Sequence, residues 1–348
     1  MILYKKDMGG EYVKNTKLMQ VKDSVSIIDT FKGAIIQIVT PYSTGTGFYL
    51  KDFKCIVTNE HVVRNNKEVV IQSRLLPKVL AQVSYLDPKY DLAVIRIPDG
   101  HQLEGIAFDK SGAIPREGQR VIALGHPFGL KFSATQGIIS SMLHHEDEIR
   151  YIQHDAALNP GNSGGPLLDE HGHLLGMNTF IIREGQNIGF ALPAEYINVA
   201  LQDWQASGTP RAVRCFSCNQ IVQDKESKDQ DKFCPFCGYE IQLISQIQNY
   251  EPFGFFKTVE DVLEQIGIDV TLARRGPVQW SFSWGSTGIY VSYHENSGMI
   301  LTEVYMCELA GDRIVDLYDY LLKENAVFFG TTFSVKENII TLSLIAYD

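Results

Sequence analysis

From Ser26 to about Pro193 the chain alternates short apolar runs with Gly, Pro, Asp and Asn. Ala34–Val39, Cys55–Thr58, Glu68–Ile71, Leu92–Ile97, Val121–Leu124 and Leu174–Ile182 have the length of strands. Many short strands with turn signals between them predict an all-β barrel or sandwich. Pro193–Trp204 then carries apolar residues at 197, 200, 201 and 204, a helical spacing, and Ser207-Gly-Thr-Pro210 breaks it. A third pattern begins near Phe255. Thr258-Val-Glu-Asp261 reads as a capping box with Asp in place of Glu, and Val262, Leu263 and Ile266 follow at helical spacing. Val278 to Trp284, Ile289 to Tyr293 and Met299 to Met306 read as strands. Asp312–Lys323 reads as a second helix, and Thr332–Val335 with Ile339–Ile345 as a hairpin. The order α-β-β-β-α-β-β is that of an α+β unit. Within it, Trp280, Phe282 and Trp284 are read as the buried face of a strand rather than a partner groove.

The length, 348 residues, suggests two or three domains. The pattern divides them into an N-terminal segment 1–25, a β domain 26–208, a cysteine-rich segment 211–240 and an α+β domain 253–348. With 45% apolar and 21% charged residues the chain is not disordered. No apolar run reaches the 18 or so residues of a membrane span, and no secretory signal is visible, so a cytoplasmic protein without a membrane partner is expected. The net charge is −10, and residues 241–348 hold 14 acidic against 6 basic residues. Without a basic stripe, nucleic acid is not an expected partner.

Asn159-Pro-Gly-Asn-Ser163-Gly-Gly-Pro166 carries the strongest chemical signal. A serine hydroxyl needs a base to become a nucleophile. Flanking glycines let the chain bend sharply and aim the N–H groups of Gly161 and Ser163 at one oxyanion. Upstream, Ile56-Val-Thr-Asn-Glu-His61-Val-Val63 puts a histidine at the end of an apolar strand, and Asp91 opens another strand before Leu92-Ala-Val94. The order His61, Asp91, Ser163 is the chymotrypsin order. Residues 161–165 also satisfy G-x-S-x-G, but a short strand and turn follow Ser163 where a nucleophile elbow needs a helix.

Residues about 28–205 resemble the HtrA-type trypsin-like serine proteases. The matching blocks are Gly45-Thr-Gly-Phe48, Ile56–Val63, Asp91–Val94, Gly125-His-Pro-Phe-Gly129, Gly137-Ile-Ile-Ser140, Asp155–Pro166 and Ile188-Gly-Phe-Ala-Leu-Pro193. The resemblance implies a chymotrypsin-like double β-barrel with the triad between the barrels. It implies His61 as general base, Asp91 as its orienting carboxylate and Ser163 as nucleophile. Ala157, six residues before Ser163, would lie at the base of the S1 pocket, with Ile188, Gly189 and Phe190 as a wall. The secretion signal many members carry, a PDZ domain and the trimer-forming segment of that family are not recognised, so periplasmic location, PDZ capture and trimer assembly are not carried over.

Of the six cysteines, Cys55 and Cys307 sit in apolar surroundings and are read as core residues. Cys215-Phe-Ser-Cys218 and Cys234-Pro-Phe-Cys237 form two C-x-x-C pairs around a charged loop, Asp224–Lys232. That spacing suits one structural Zn²⁺ with all four positions filled, and the segment resembles a zinc ribbon. Asn219 and Gly238 each follow a second cysteine, and both tolerate the left-handed backbone of a metal knuckle. Residues about 255–348 resemble the fold shared by type III secretion chaperones and YbjN-type proteins, which implies a partner-binding or self-association module. The expectation is a serine endopeptidase acting on protein or peptide substrates, without a catalytic cofactor. The alternative is a silent scaffold on a protease fold.

Overall fold

The structure, a computed structural model, describes residues 4–6, 12–14, 24–101, 103–109, 114–126, 132–146, 148–159, 161–181, 188–225, 232–309, 314–336 and 338–347. Ile182, Asp312 and part of the charged loop before Lys232 lie outside them. A hairpin of β1 (Tyr4–Lys6) and β2 (Tyr12–Lys14) precedes helix α1 (Ser24–Phe31). The strands β3 (Ile35–Val39), β4 (Thr44–Leu50) and β5 (Cys55–Thr58) follow, then a one-turn helix α2 (Glu60–Val63). Next come β6 (Glu68–Gln72), β7 (Val79–Asp87) and β8 (Leu92–Ile95). Their order, β7-β6-β3-β4-β5-β8, returns to β7 through the β7–β8 pairing and closes a six-stranded barrel. A second closed barrel contains β9 (Arg120–Gly125), β10 (Ser133–Glu146), β11 (Ile149–His154), β12 (Pro166–Asp169), β13 (Leu174–Ile181) and β14 (Gly189–Pro193).

In β3, β5 and β8 every residue is buried, Gln37 and Thr58 included, so these predominantly apolar runs are strands covered on both faces. One set of alternate residues, including Phe48, Val57 and Val94, joins Leu124, Leu168, Met177 and Leu192 of the second barrel in a shared core. Helix α3 (Ala194–Ala206) seals that core with Ile197, Ala200 and Leu201. The seam between the barrels is therefore a packed interface, and loops that meet there are held from both sides.

The chain after α3 turns back onto the first barrel. Strand β15 (Ala212–Arg214) pairs in parallel with the end of β7, Ala212 opposite Tyr85 and Val213 opposite Leu86, and β16 (Ile221–Gln223) adds to its outer edge. Val213, Cys215, Cys234, Leu243 and Ile244 lie in one apolar cluster with Ile36, Ile38, Ile56 and Ile95 of the first barrel.

The C-terminal unit holds α4 (Gly254–Gln265), α5 (Val270–Ala273), β17 (Arg274–Gly276), β18 (Gln279–Trp284), β19 (Thr287–His294), β20 (Met299–Glu308), α6 (Ile314–Val327), β21 (Thr331–Lys336) and β22 (Ile339–Tyr347). They form a sheet of order β17-β18-β19-β20-β22-β21. Helix α4 starts four residues before the expected capping box, after an extended Phe253, so Thr258 lies inside the helix. The one-turn α5 and the three-residue β17 are too short to leave a periodic signal. Trp280 is buried, Phe282 is half-buried and Trp284 is exposed, so the aromatic stripe is core only at its start. Cys55 is buried, but Cys307 is exposed, which corrects its reading as a core residue. A register shift between Tyr305 and Cys307 leaves Met306, Cys307 and Glu308 exposed. The unit rests on the first barrel through Arg275, whose Nη1 donates to Gln72 Oε1 (3.0 Å) and Gln37 Oε1 (3.3 Å). Among the described residues no helix is long and apolar enough to cross a membrane.

Candidate active site

The buried strand β5 delivers the chain to Asn59, whose extended backbone (φ −73°, ψ 148°) opens α2. His61 is therefore the second residue of a helical turn rather than the end of the strand. Its ring emerges at the surface, with the side chain 39% exposed. Asp91 lies between β7 and β8 with φ +46°, a left-handed backbone that Asp accepts more readily than most residues. That turn aims one carboxylate at two groups of one residue. Asp91 Oδ2 is 2.8 Å from His61 Nδ1, and Oδ1 accepts the His61 backbone N–H at 3.0 Å. A carboxylate at Nδ1 holds the proton there and leaves Nε2 as the acceptor nitrogen.

Ser163 sits on a turn fastened to the first barrel. The Thr46 N–H donates to Ser163 O (2.9 Å), and Thr46 Oγ1 donates to Gly161 O (2.6 Å). Gly164 has φ +82°, and a Cβ there would overlap Thr46 O and Thr58 Oγ1, so only glycine fits. The same position packs against the N of Asn59, two residues before His61. Gly161 also has a positive φ, +101°. Among the described residues neither the Gly161 nor the Ser163 N–H has a hydrogen-bond partner, as an oxyanion site requires. The Ser163 hydroxyl donates to Thr179 O at 3.2 Å.

Asn59 ties these parts together. Its Nδ2 donates to Asp91 O (2.9 Å) and to Thr179 Oγ1 (3.3 Å). Neither Asn59, Thr46 nor Thr179 is singled out by sequence. Two of them lie in the blocks that carry the family resemblance, which was the available signal.

Of the expected S1 residues, Ala157 is exposed, and its carbonyl accepts the Thr135 hydroxyl at 2.9 Å. Gly189 is buried beside His154 and Leu158, Ile188 is half-buried, and the Phe190 ring is buried 4.3 Å from that of His144. Burial pushes His154 down to about 4.

The cysteine pairs meet as a cluster. Cys215 Sγ is 3.7 Å from Cys237 Sγ, Cys218 Sγ is 3.6 Å from Cys234 Sγ, and all four sulfurs lie within 4.8 Å of one another. Four thiolates about 2.3 Å from a tetrahedral Zn²⁺ would stand about 3.8 Å apart, so the set fits that ion. Asn219 (φ +61°) and Gly238 (φ +74°) close the two knuckles. Their N–H groups donate to Cys215 O and Cys234 O, both at 2.9 Å. A backbone N–H bond from Tyr239 brings Cys237 down to about 7, whereas burial pushes Cys215 up.

Residues 45–177 match the trypsin-like peptidase domain. Over 171 residues the chain is 36% identical to Serine protease HTRA4 of Mus musculus, an alignment covering 47% of this chain and 35% of that protein. Over 157 residues it is 41% identical to the "Probable periplasmic serine endoprotease DegP-like" of Chlamydia trachomatis, covering 43% and 31%. A crystal structure of the serine endoprotease from Yersinia pestis superimposes with a TM-score of 0.49 at 28% identity, covering 54% of this chain and 68% of that one. The chain spans about a third of the length of the curated relatives it matches. The peptidase match contains His61, Asp91 and Ser163 and ends before the cysteine pairs.

Proposed function

We propose that the chain is a serine endopeptidase of the HtrA-like kind, with His61, Asp91 and Ser163 as its triad. The observation that carries this reading is the double grip of the Asp91 carboxylate on the ring and backbone of His61, beside a Ser163 turn with two open N–H groups. The Ser163 hydroxyl swings from Thr179 O to His61 Nε2. As Oγ bonds to the scissile carbonyl carbon, Nε2 takes the hydroxyl proton, and the N–H groups of Gly161 and Ser163 receive the oxyanion. The imidazolium, stabilised by Asp91, returns the proton to the leaving amine, and an acyl-enzyme remains. Water, deprotonated by Nε2, then releases the acid and restores Ser163.

Serine-directed fluorophosphonate labelling tests this. The parent should label and Ser163→Ala should not, with turnover falling by roughly 10⁴-fold or more, because the triad acts as a unit. The second reading, a silent scaffold, draws on the Ser163 hydroxyl resting on Thr179 O. An unlabelled parent would favour it. With Ala157, which has no carboxylate to pair a substrate Arg or Lys, at the S1 base, cleavage should follow Val, Ala or Leu. A peptide library dominated by Arg or Lys at P1 would overturn that specificity.

Cys215, Cys218, Cys234 and Cys237 would hold one structural Zn²⁺, which supplies folding energy and no open catalytic position. A cytoplasmic location is part of the same proposal, since paired C-x-x-C motifs in a reducing compartment are more often metal sites than disulfides. The C-terminal unit is read as a partner-binding or self-association module. Support comes from its exposed Tyr320, Leu322, Phe328, Phe329 and Tyr347 and from its acidic excess, which favours a partner with a basic face. Truncation after residue 250 should retain cleavage of short peptides and lose partner capture or oligomerisation.

A further inference from the structure

Arg214 lies on β15, directly before Cys215 and well outside the residues that match the peptidase domain. Its side chain is only 6% exposed, and each end of the guanidinium is occupied. Nε donates to Asp87 Oδ2 (2.7 Å) and to Tyr85 Oη (3.2 Å), both on β7. Nη2 donates to Asp203 Oδ2 (2.9 Å) on α3. Nη1 donates to the carbonyl of Asn219 (2.9 Å), the residue that closes the first cysteine knuckle. The guanidinium also faces the Tyr90 ring, 5.7 Å from its centroid.

Asp87 is fully buried, and burial pushes its carboxyl up while the guanidinium opposes that shift. The Tyr85 hydroxyl donates to the Oδ2 that Arg214 also holds (2.7 Å). The other oxygen, Oδ1, accepts the backbone N–H of Tyr90 at 3.3 Å. Tyr90 immediately precedes Asp91, whose left-handed backbone and paired contacts orient His61. A rigid fork thus fixes a buried carboxylate, and that carboxylate fixes the turn carrying the orienting residue of the triad. Lysine has the charge but not the fork, so it could not hold Asp87, Asp203 and the Asn219 carbonyl in one geometry.

We infer that Arg214 is a positioning residue for catalysis, through which the cysteine-bearing segment holds Asp91 in register with His61 by way of Asp87 and Tyr90. The inference rests on the peptidase reading for its kinetic consequence, though not for its structural one.

The test compares the full-length parent, Arg214→Lys, Arg214→Met and the double variant Arg214→Met/Asp87→Asn. The double variant removes the unpaired buried charge that could unfold the single one. Each is measured for kcat and KM on a short peptide and for the low-field proton resonance of the His61–Asp91 hydrogen bond, assigned by its loss in His61→Gln. The expected result is a folded double variant with kcat reduced at least about tenfold, KM within about twofold, and the resonance broadened or shifted upfield. Arg214→Lys should recover part of both signals. A folded double variant with parental kcat and an unchanged resonance would overturn the inference and leave Arg214 as a structural link only. If the parent neither labels nor cleaves, the peptidase reading fails, and the resonance alone still decides whether Arg214 positions Asp91.

Discussion

The Thr46 hydroxyl donates to Gly161 O and accepts the His126 N–H, joining two loops of the second barrel to a strand of the first. Thr46→Val keeps the shape and strands a carbonyl of the nucleophile turn, a loss of about 1–3 kcal/mol. Because that carbonyl belongs to Gly161, whose N–H is proposed to receive the oxyanion, kcat should fall about tenfold or more while KM changes little. Steady-state kinetics on a peptide check this, and an equal loss in KM alone would place Thr46 in substrate binding. Gly164→Ala should fail more completely, since a methyl there meets Thr46 O and a hydroxyl that cannot both retreat. The expected outcome is little soluble protein. His61, Asp91 and Ser163 are legible as candidates in the sequence because the chemistry needs those residue types, and their chain order is that of the chymotrypsin fold. Thr46 and Asn59 are not, because Thr and Asn are common, and their roles depend on which carbonyls lie across the seam.

At the scale of elements, strands with buried runs are legible from length and turn signals alone. Helix α2 is not: its residues Glu60-His-Val-Val63 continue an apolar run, and the extended Asn59 turns that run into a helical one. Cys307 fails for a similar reason, since the register shift that exposes it depends on pairing with β22. One consequence concerns β11, whose last residue, His154, is fully buried. Its folded value of about 4 lies below the ordinary 6.5. Above pH 6.5 the ring is neutral in both states. As pH falls from 6.5 to about 4, only the unfolded chain takes the proton, so stability is lost across that window, by up to about 3 kcal/mol. His126, also held down to about 4 by burial, acts in the same direction. Urea midpoints should decline between pH 6.5 and 4, and in His154→Gln the slope should become shallower by about one proton. An unchanged slope would mean that His154 is protonated in the folded state.

For the whole molecule, the division into protease-like, cysteine-bearing and α+β parts is legible from composition and motif. Their joining is not, because a parallel pairing between residues 85–86 and 212–213 leaves no local pattern. That joining changes what metal removal should do. Cys215 and Cys234 lie in one apolar cluster with Ile36, Ile38 and Ile56, so losing the ion should loosen more than the knuckles. Native protein should contain about one zinc per chain by elemental analysis. In Cys218→Ser the zinc should be lost, and the unfolding temperature of the first barrel should fall with it. Zinc loss with an unchanged barrel transition would show the cysteine segment to be an independent unit.

The parallel strand also bears on how the protein is made. The end of β7 leaves the ribosome about 125 residues before its partner β15. At 5–20 residues per second, that is roughly 6–25 s during which Tyr85 and Leu86 have a bare edge and Asp87 has no cation. The proposed triad residues are all synthesised by Ser163, yet the support beneath Asp91 arrives only with Arg214. A nascent chain should therefore carry every proposed reacting group before its orienting carboxylate is braced, and any cleavage by it should be slow until Arg214 is in place. Released chains ending near residue 210 should react with fluorophosphonate about tenfold or more slowly than released chains ending near residue 250.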